Sequence, residues 1–301
     1  NRVVLTNKTP SGLNRGFGGP QHYFALERLV HQIAVELNLN IIDVIKINLV
    51  EKKQFPYKSP AGALLDSGNF QKLVKKVIES STYKKILKNK SDAIKNGKIY
   101  GVGYSSIIEP SISNMGYVTT ALPFKEREKT GHKGGALAST SISIGPTGSV
   151  YVTCDSLPQG QGHKTILSQI VADVFGIKIN DIFVNTTHDT HKDAWSIAAG
   201  NYSSRFAGAV AGSAFNAAIN LKKKLQKIAA SELNCKSENI LFGTGKVYDK
   251  KNSDNYLNFK RLAGIPHWSP ENLPEKMNPS LKETVFWGNE KLSPPNEKDE
   301  I

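Results

Sequence analysis

The stretch that decides the fold is Gly160-Gln161-Gly162-His163-Lys164-Thr165. A strand-like run at residues 149–153 precedes it and a helix-like run at residues 165–175 follows it, so the sequence predicts a strand, a glycine loop and a helix start. Backbone N–H groups and the positive end of the helix dipole gather at such a point, where an anionic cofactor can bind. Glycine lets the backbone approach a ligand closely, and the side-chain amide of Gln161 can both donate and accept hydrogen bonds.

A glycine pair before a helix is weak evidence for a ligand site by itself, because most such pairs are plain turns. Two further stretches add weight: Arg15-Gly16-Phe17-Gly18-Gly19-Pro20-Gln21, and Ala198-Ala199-Gly200-Asn201-Tyr202-Ser203-Ser204-Arg205 after the central helix. In this order, the three stretches resemble the large, molybdenum-binding subunit of the xanthine dehydrogenase / aldehyde oxidase family, the molybdenum hydroxylases. The resemblance spans nearly the whole chain and includes residues 6–10 and 266–268.

The resemblance implies an α+β fold in which mixed sheets pack with helices. Residues 1–97 would form the end of the first molybdopterin-binding domain and residues 98–301 the start of the second. The chain is therefore expected to be a middle section of the large subunit. Residues 21–23 and 201–203 look closest to the carbon-monoxide-dehydrogenase-like and glyceraldehyde-oxidising members of the family.

Composition and charge indicate a globular protein without a nucleic-acid or membrane partner. The chain has 301 residues, 39% hydrophobic and 22% charged, which suits one large or two ordinary domains. No apolar run approaches the ~20 residues of a membrane span, and the first residues do not resemble a signal peptide. The formal net charge is +13, but the lysines at residues 72–90 and 222–227 follow helix-like patterns typical of solvated faces. The two cysteines fit no zinc or disulfide pattern, so a cytoplasmic location is the simplest expectation.

The resemblance assigns the residues of a site position by position. The cofactor-binding residues are Arg15, Gly16, Gly160, Gln161, Gly162, Tyr202, Ser203, Ser204 and Arg205, and Phe17 belongs to the substrate pocket. Gln161 would hydrogen-bond the molybdenum-oxo group or the pterin, and Arg205 would contact phosphate. Simpler roles stay open, namely Arg15 as a tie within its loop, Phe17 as a core aromatic and Arg205 as a surface helix residue.

The implied cofactor is molybdopterin with molybdenum, expected in its cytidine dinucleotide form and held without direct side-chain ligation of the metal. His163, His188 and His191 are accordingly expected to cap or border loops. The implied reaction hydroxylates an aldehyde or an N-heterocycle, a small-molecule substrate, with oxygen from water. Electrons would pass to an iron-sulfur subunit and an FAD subunit, because the chain has neither a cluster-binding cysteine set nor a dinucleotide fingerprint. The expected assembly is a dimer of multi-subunit protomers that also contains the remaining parts of the molybdenum subunit.

Two departures from the family pattern limit the expected activity. The general-base glutamate of the family is expected downstream of this chain, so no catalytic residue is assigned here and the isolated chain is expected to be inactive. The carbon-monoxide-oxidising branch has a cysteine after the motif arginine, whereas this chain has Gly16, which argues against carbon monoxide as the substrate. The alternative is a non-catalytic remnant or binding module that has kept the fold, and a nucleic-acid-binding protein is a weaker alternative.

Hydrophobic periodicity predicts the remaining elements. Helices are expected at residues 24–37, 67–87 and 203–231, and a short helix capped by Asp43 is expected between residues 39 and 50. Strands are expected at residues 99–108, 136–144 and 177–186, and a hairpin is expected around Gly243-Thr244-Gly245. Residues 125–135 are charged and contain glycine, and they are predicted to form an exposed loop.

Overall fold

A computed structural model describes residues 4–9, 15–16, 18–60, 64–108, 122–130, 137–187, 189, 204–288 and 297. The chain divides into two compact units, of which the first is Asn1–Ile108 with Glu300–Ile301 and the second is Glu109–Asp299. The boundary expected at residues 97/98 separates two molybdopterin-binding domains, and it stays a prediction.

The described part of the first unit is mainly helical. Its elements are α1 (Gly19–Glu36), α2 (Ile41–Ile47), α3 (Phe70–Glu79) and α4 (Ser81–Lys95), with the short strands β1 (Tyr57–Lys58) and β2 (Leu64–Leu65). The two strands pair antiparallel. Pro20 lies in the first turn of α1, where its fixed φ and missing N–H are tolerated.

Side-chain caps set the helix boundaries of this unit and correct two predictions. The α2 helix is capped by Asn40, whose Oδ1 accepts a hydrogen bond from the Ile42 N–H at 2.8 Å, so the prediction that Asp43 caps it is wrong. The helix predicted at residues 67–87 is two helices. Ser80 has an extended ψ of 149° and its Oγ accepts a hydrogen bond from the Tyr83 N–H, so α3 ends and α4 begins there.

The strand predicted at residues 99–108 is not formed, and this segment has no regular secondary structure. Its β-branched and aromatic residues suit a strand, but a strand also needs a hydrogen-bonded neighbour. Among the described residues of the first unit, β1 and β2 pair only with each other. Ile99 is fully exposed, while Tyr104 is half-buried and contacts Tyr83, so side-chain contacts rather than strand pairing hold this segment.

The second unit contains two sheets and four described helices. The helices are α5 (Phe124–Thr130), α6 (His163–Phe175), α7 (Ala211–Glu232) and α8 (Phe259–Trp268). The strands are β3 (Ala138–Ile144), β4 (Val150–Cys154), β5 (Ile182–Asn185), β6 (Ile240–Gly243), β7 (Lys246–Asp249), β8 (Asn252–Asn258) and β9 (Lys282–Trp287). One sheet has the order β5-β4-β3-β9, with β4 and β5 parallel and the other pairs antiparallel; the second is the antiparallel β6-β7-β8. The α+β fold is confirmed.

The core of the second unit lies between the four-stranded sheet and the pair α6 and α7. Helix α7 contacts β3, β9 and α6, while α6 contacts β5. Val152 on β4, Phe175 on α6 and Leu221 on α7 are each at most 1% exposed. Such close packing of helices against a sheet requires small residues. A Cβ added at Gly212 of α7 would lie 2.4 Å from the Trp287 ring.

Local sequence predicted the central elements of this unit but missed α5, β8, α8 and β9. The predicted strand, glycine loop and helix appear as β4, residues 155–162 and α6, and the predicted hairpin appears as β6 and β7. Residues 124–130 form α5 with Arg127 buried, so the exposed loop predicted from residue 125 is wrong there. The strand expected from residue 177 begins only at Ile182, and β9 was not predicted.

Candidate cofactor-binding site

The backbone of the glycine loop requires both of its glycines. Gly160 has a φ of +97° and Gly162 has a φ of +78°, which is the left-handed region that side chains with a Cβ disfavour. Gly162 is the N-cap residue of α6 and supplies no side-chain cap. Among the described residues, no heavy atom lies within 4 Å of a Cβ built on Gly162, so none of them fills that position at the start of the helix.

The first turn of α6 presents backbone N–H groups to that space. The first helical hydrogen bond runs from the Ile166 N–H to the Gly162 carbonyl at 3.0 Å. Within the described residues, no acceptor contacts the N–H of Lys164 or Thr165. The helix follows the carboxyl end of β4 in a parallel β4–α6–β5 unit, which is where ligands bind in such folds. These donors and the helix dipole favour an anion.

Gln161 lies on the exposed surface of this loop. Its Oε1 accepts a hydrogen bond from the Gln159 N–H at 2.5 Å. The oxygen therefore orders the loop, and the amide NH₂ is the group left to donate to a ligand. Its contact with a molybdenum-oxo group or pterin stays a prediction.

Buried polar contacts anchor the start of the loop. Asp155 is 2% exposed, and its Oδ2 accepts hydrogen bonds from the Ser139 N–H at 2.8 Å and the Ser139 Oγ–H at 3.3 Å. Ser156 Oγ shares a hydrogen bond of 3.1 Å with His163 Nε2. Next to them, burial raises the pKa of the Cys154 thiol to about 11, which leaves it protonated and unreactive at neutral pH.

His163 brings the glycine loop and the third motif together. It is fully buried, and its ring centroid lies 4.1 Å from that of Phe206. Burial lowers the pKa of the His163 imidazole from its ordinary value, so the ring is neutral at pH 7. Phe206 directly follows Arg205, which is 2% exposed, and opens a π-helical turn, Phe206–Val210, that leads into α7. His163 therefore borders the glycine loop through its bond to Ser156 while its side chain lies in the core.

The motif around Arg15 lies in the first unit. Gly16 has a φ of +83°, and a Cβ there would lie 2.7 Å from the ring carbons of Pro20. The Gly19 N–H donates to the Gly16 carbonyl at 2.8 Å, so this glycine makes the turn into α1. Arg15 has an exposed side chain.

Other predicted residues are only partly described. Ser204 is exposed with a φ of +54°, a strained conformation at the start of a helix. The predictions for Phe17, Tyr202, Ser203, His188 and His191 lie outside the described residues.

Sequence reasoning missed Asp155, Ser156 and Phe206 as parts of this site. The burial of His163 could have been predicted, because His163, Leu167 and Val171 follow each other at helical spacing on the buried face of α6. The contact with Phe206 had no sequence signal, since it depends on how α6 and α7 pack.

Two grooves of the second unit lie away from this loop. One, of about 560 Å³, is lined by Asn220, Lys223, Lys224, Lys227 and residues 274–277; the other lies at the opposite end of α6, around Gly176 and Lys178. Across the part of the chain that the structure describes, no group of three or more His, Cys, Asp or Glu side chains could hold a metal ion. No helix in that part is long and apolar enough to cross a membrane.

The fold is α+β, and it places two glycines at positive φ and the start of α6 after the carboxyl end of the parallel strand β4. Residues 76–300 match the model of a molybdopterin cofactor-binding domain, and residues 1–49 match a second domain model of the same description. The chain belongs to this molybdopterin cofactor-binding family, within the large subunits of molybdenum hydroxylases. The resemblance found in the sequence is therefore confirmed.

Several known proteins are similar to the chain over almost its full length. It is 28% identical to the nicotine 6-hydroxylase large subunit of Paenarthrobacter nicotinovorans, covering 94% of this chain and 33% of that protein. It is 30% identical to the carbon monoxide dehydrogenase large chain of Hydrogenophaga pseudoflava, covering 97% of this chain and 34% of that protein. The crystal structure of quinoline 2-oxidoreductase from Pseudomonas putida 86 superposes with a TM-score of 0.72 at 25% identity, covering 95% of this chain and 35% of that one. The chain thus spans about a third of the length of these relatives.

Proposed function

We propose that the chain supplies cofactor-binding loops of a molybdenum hydroxylase and that residues 160–165 and 204–205 bind its pterin cofactor. The observation that carries the proposal is the N-terminus of α6, which follows two glycines at positive φ and where no described acceptor contacts the N–H of Lys164 or Thr165. The contact of His163 with Phe206 supports it, because it brings this helix start close to Arg205, the last residue of the motif at residues 198–205.

Each residue has a distinct role in this proposal. The N–H groups of Lys164 and Thr165 donate to an anionic group of the cofactor, and Gly160 and Gly162 allow the close approach. Gln161 donates from its amide, and Arg205 supplies a cation for phosphate. The cofactor, in the cytidine dinucleotide form, supplies hydroxylation of an electrophilic carbon with oxygen from water. The roles of Arg15, Gly16, Phe17, Tyr202, Ser203 and Ser204 rest on the family resemblance.

These donors fit such a cofactor. Backbone N–H groups, an amide NH₂ and a guanidinium are all hydrogen-bond donors, as a ligand with phosphate and oxo groups requires. The described residues also offer no cluster of metal-ligating side chains.

We place the substrate among aldehydes and N-heterocycles. Two of the similar proteins are named for nicotine and quinoline, which are nitrogen heterocycles. Gly16 stands where the carbon-monoxide-oxidising branch has a cysteine, which argues against carbon monoxide although two carbon monoxide dehydrogenases are among the relatives.

We further propose that the chain works within a larger assembly in the cytoplasm and is inactive alone. The relatives are named as a large subunit, a large chain and a subunit of a complex, which supports partner subunits. In the proposed assembly the rest of the molybdenum subunit supplies the general base, and iron-sulfur and FAD subunits accept the electrons. Cys154 and Cys235 are both free thiols, as suits a reducing compartment.

Metal and nucleotide analysis of the chain purified with its native partners tests the proposal. The expected result is molybdenum together with a cytidine nucleotide released on denaturation. A partnered complex with neither would overturn the proposal and favour the non-catalytic remnant.

Replacing Gln161 by Ala in the assembly tests the loop itself. Losing both its donor and its bond to Gln159 should lower cofactor content or turnover by about tenfold or more, since one well-placed donor in an active site has at least that effect. Gln169→Ala is the matched control, because Gln169 is an exposed glutamine farther along α6. Equal cofactor content and turnover in both variants would count against the assignment of Gln161.

A further inference from the structure

Ser156 and His163 bracket the glycine loop on both sides. The six residues between them, 157–162, are all exposed, whereas Ser156 and His163 are both fully buried. The hydrogen bond of 3.1 Å between Ser156 Oγ and His163 Nε2 therefore closes the base of an exposed loop. Closing the loop at its base limits the conformations that Gln161 and the two glycines can adopt.

The same imidazole ring also packs against Phe206, in the π-helical turn that leads into α7. The His163 and Phe206 rings lie 4.1 Å apart with an interplanar angle of 35°. Phe206 is 7% exposed and packs with Cys154 of β4 and Leu167 of α6. Since Phe206 directly follows Arg205, the position of the His163 ring restrains Arg205, the last residue of the motif at residues 198–205.

We infer that Ser156, His163 and Phe206, here called the His163 joint, position the glycine loop and Arg205 relative to each other for the cofactor. This inference rests on the proposed function. His163 is a positioning residue, because it acts through Ser156 and Phe206 and is buried beneath the loop. One residue thus couples two motifs that are far apart in sequence.

Variants can separate the two contacts of the joint. His163→Phe keeps an aromatic ring against Phe206 and removes the hydrogen bond to Ser156. Ser156→Ala removes the same hydrogen bond and leaves the imidazole in place, which covers the case in which His163→Phe does not fold. His163→Gln carries an amide that can take the place of Nε2, so it restores the bond to Ser156.

The first readout is the rate at which the purified assembly releases its pterin, followed by the fluorescence of the oxidised pterin. Ser156→Ala and His163→Phe should each release it about fivefold faster, as expected for the loss of one neutral hydrogen bond. The double variant should be no faster than either single variant, because both remove one interaction. His163→Gln keeps the bond to Ser156 but loses the ring against Phe206, so it should release the pterin faster than the parent, and its rate measures the second contact of the joint.

The second readout needs no bound cofactor. Hydrogen exchange of the full chain should be faster at residues 159–165 in Ser156→Ala and in His163→Phe. The matched control is Ile228→Val, a fully buried substitution on α7 that lowers stability without touching the joint.

Three outcomes overturn the inference. Pterin release and loop exchange that match the parent would show that the joint does not order the loop. Equal acceleration in Ile228→Val, compared at equal loss of melting temperature, would show a general effect of stability. A parent assembly that holds no molybdenum or pterin would overturn the proposed function and the role of the joint in holding the cofactor, while loop exchange would still decide whether the joint orders the loop.

Discussion

At the scale of single residues, backbone conformation explains which parts of the site were visible in the sequence. Gly160 and Gly162 have positive φ values, and such conformations select glycine, so residue identity reveals them. Ser156 and His163 are ordinary in sequence, and their hydrogen bond exists only because the loop folds back. The same holds for Phe206, whose contact with His163 follows from helix packing.

The buried imidazole of His163 makes the stability of the second unit depend on pH. The folded pKa lies below the ordinary value of 6.5, so the unfolded chain binds this proton more readily. The free energy of unfolding therefore carries no penalty from His163 above pH 6.5, and it falls as the pH drops below that value. The urea midpoint measured between pH 8 and pH 5 should drop, and the drop should be smaller in His163→Gln. The same drop in both proteins would contradict this account.

At the scale of elements, local patterns predicted those that form from nearby residues. β4, the glycine loop and α6 are consecutive, and the hairpin of β6 and β7 turns through Thr244 and Gly245, both at positive φ. Two of the errors involve distant pairing. β9 exists because it pairs with β3, and residues 99–108 lack a neighbouring strand among the described residues. Hydrophobic periodicity carries no information about such partners.

The contact of α7 with β9 gives a test at this scale. Alanine in a helix interior normally stabilises by up to about 1 kcal/mol over glycine. At Gly212 the added Cβ would lie 2.4 Å from the Trp287 ring, so Gly212→Ala should instead lower the free energy of unfolding by about 1–3 kcal/mol. Denaturant unfolding measures this. The loss should shrink in a Trp287→Leu background, and an unchanged loss there would exclude the clash.

At the scale of the whole molecule, buried apolar side chains are unevenly distributed. Among the described residues of the first unit, Ala34 and Ile45 are the buried apolar residues, while Phe24 is 71% exposed and Leu29 is 54% exposed. The second unit has a continuous core around α6 and α7. Most of the stability that hydrophobic burial provides therefore belongs to the second unit.

Hydrogen exchange of the full chain measures this difference. Amides of α6 and α7 should exchange most slowly, and those of α1 and α3 should exchange on the order of a hundredfold faster. Equal protection in α1 would show that its apolar face is covered in solution.

Family membership was also predictable at this scale, because three short motifs in a fixed order identify it. How two of those motifs meet was not predictable, since the meeting point is the His163 joint. The remaining motif, around Gly16, lies in the first unit.

The pairing of β3 with β9 has a consequence for synthesis on the ribosome. Ser141 and Thr284, whose hydroxyls share a hydrogen bond across these strands, are 143 residues apart. At about 5–20 residues per second, translation leaves the edge of β3 without its partner for on the order of ten seconds. During that time the nascent chain exposes an unpaired strand edge that other chains can join. Completion of the sheet must therefore wait until β9 has emerged, and this interval is when a chaperone would matter most.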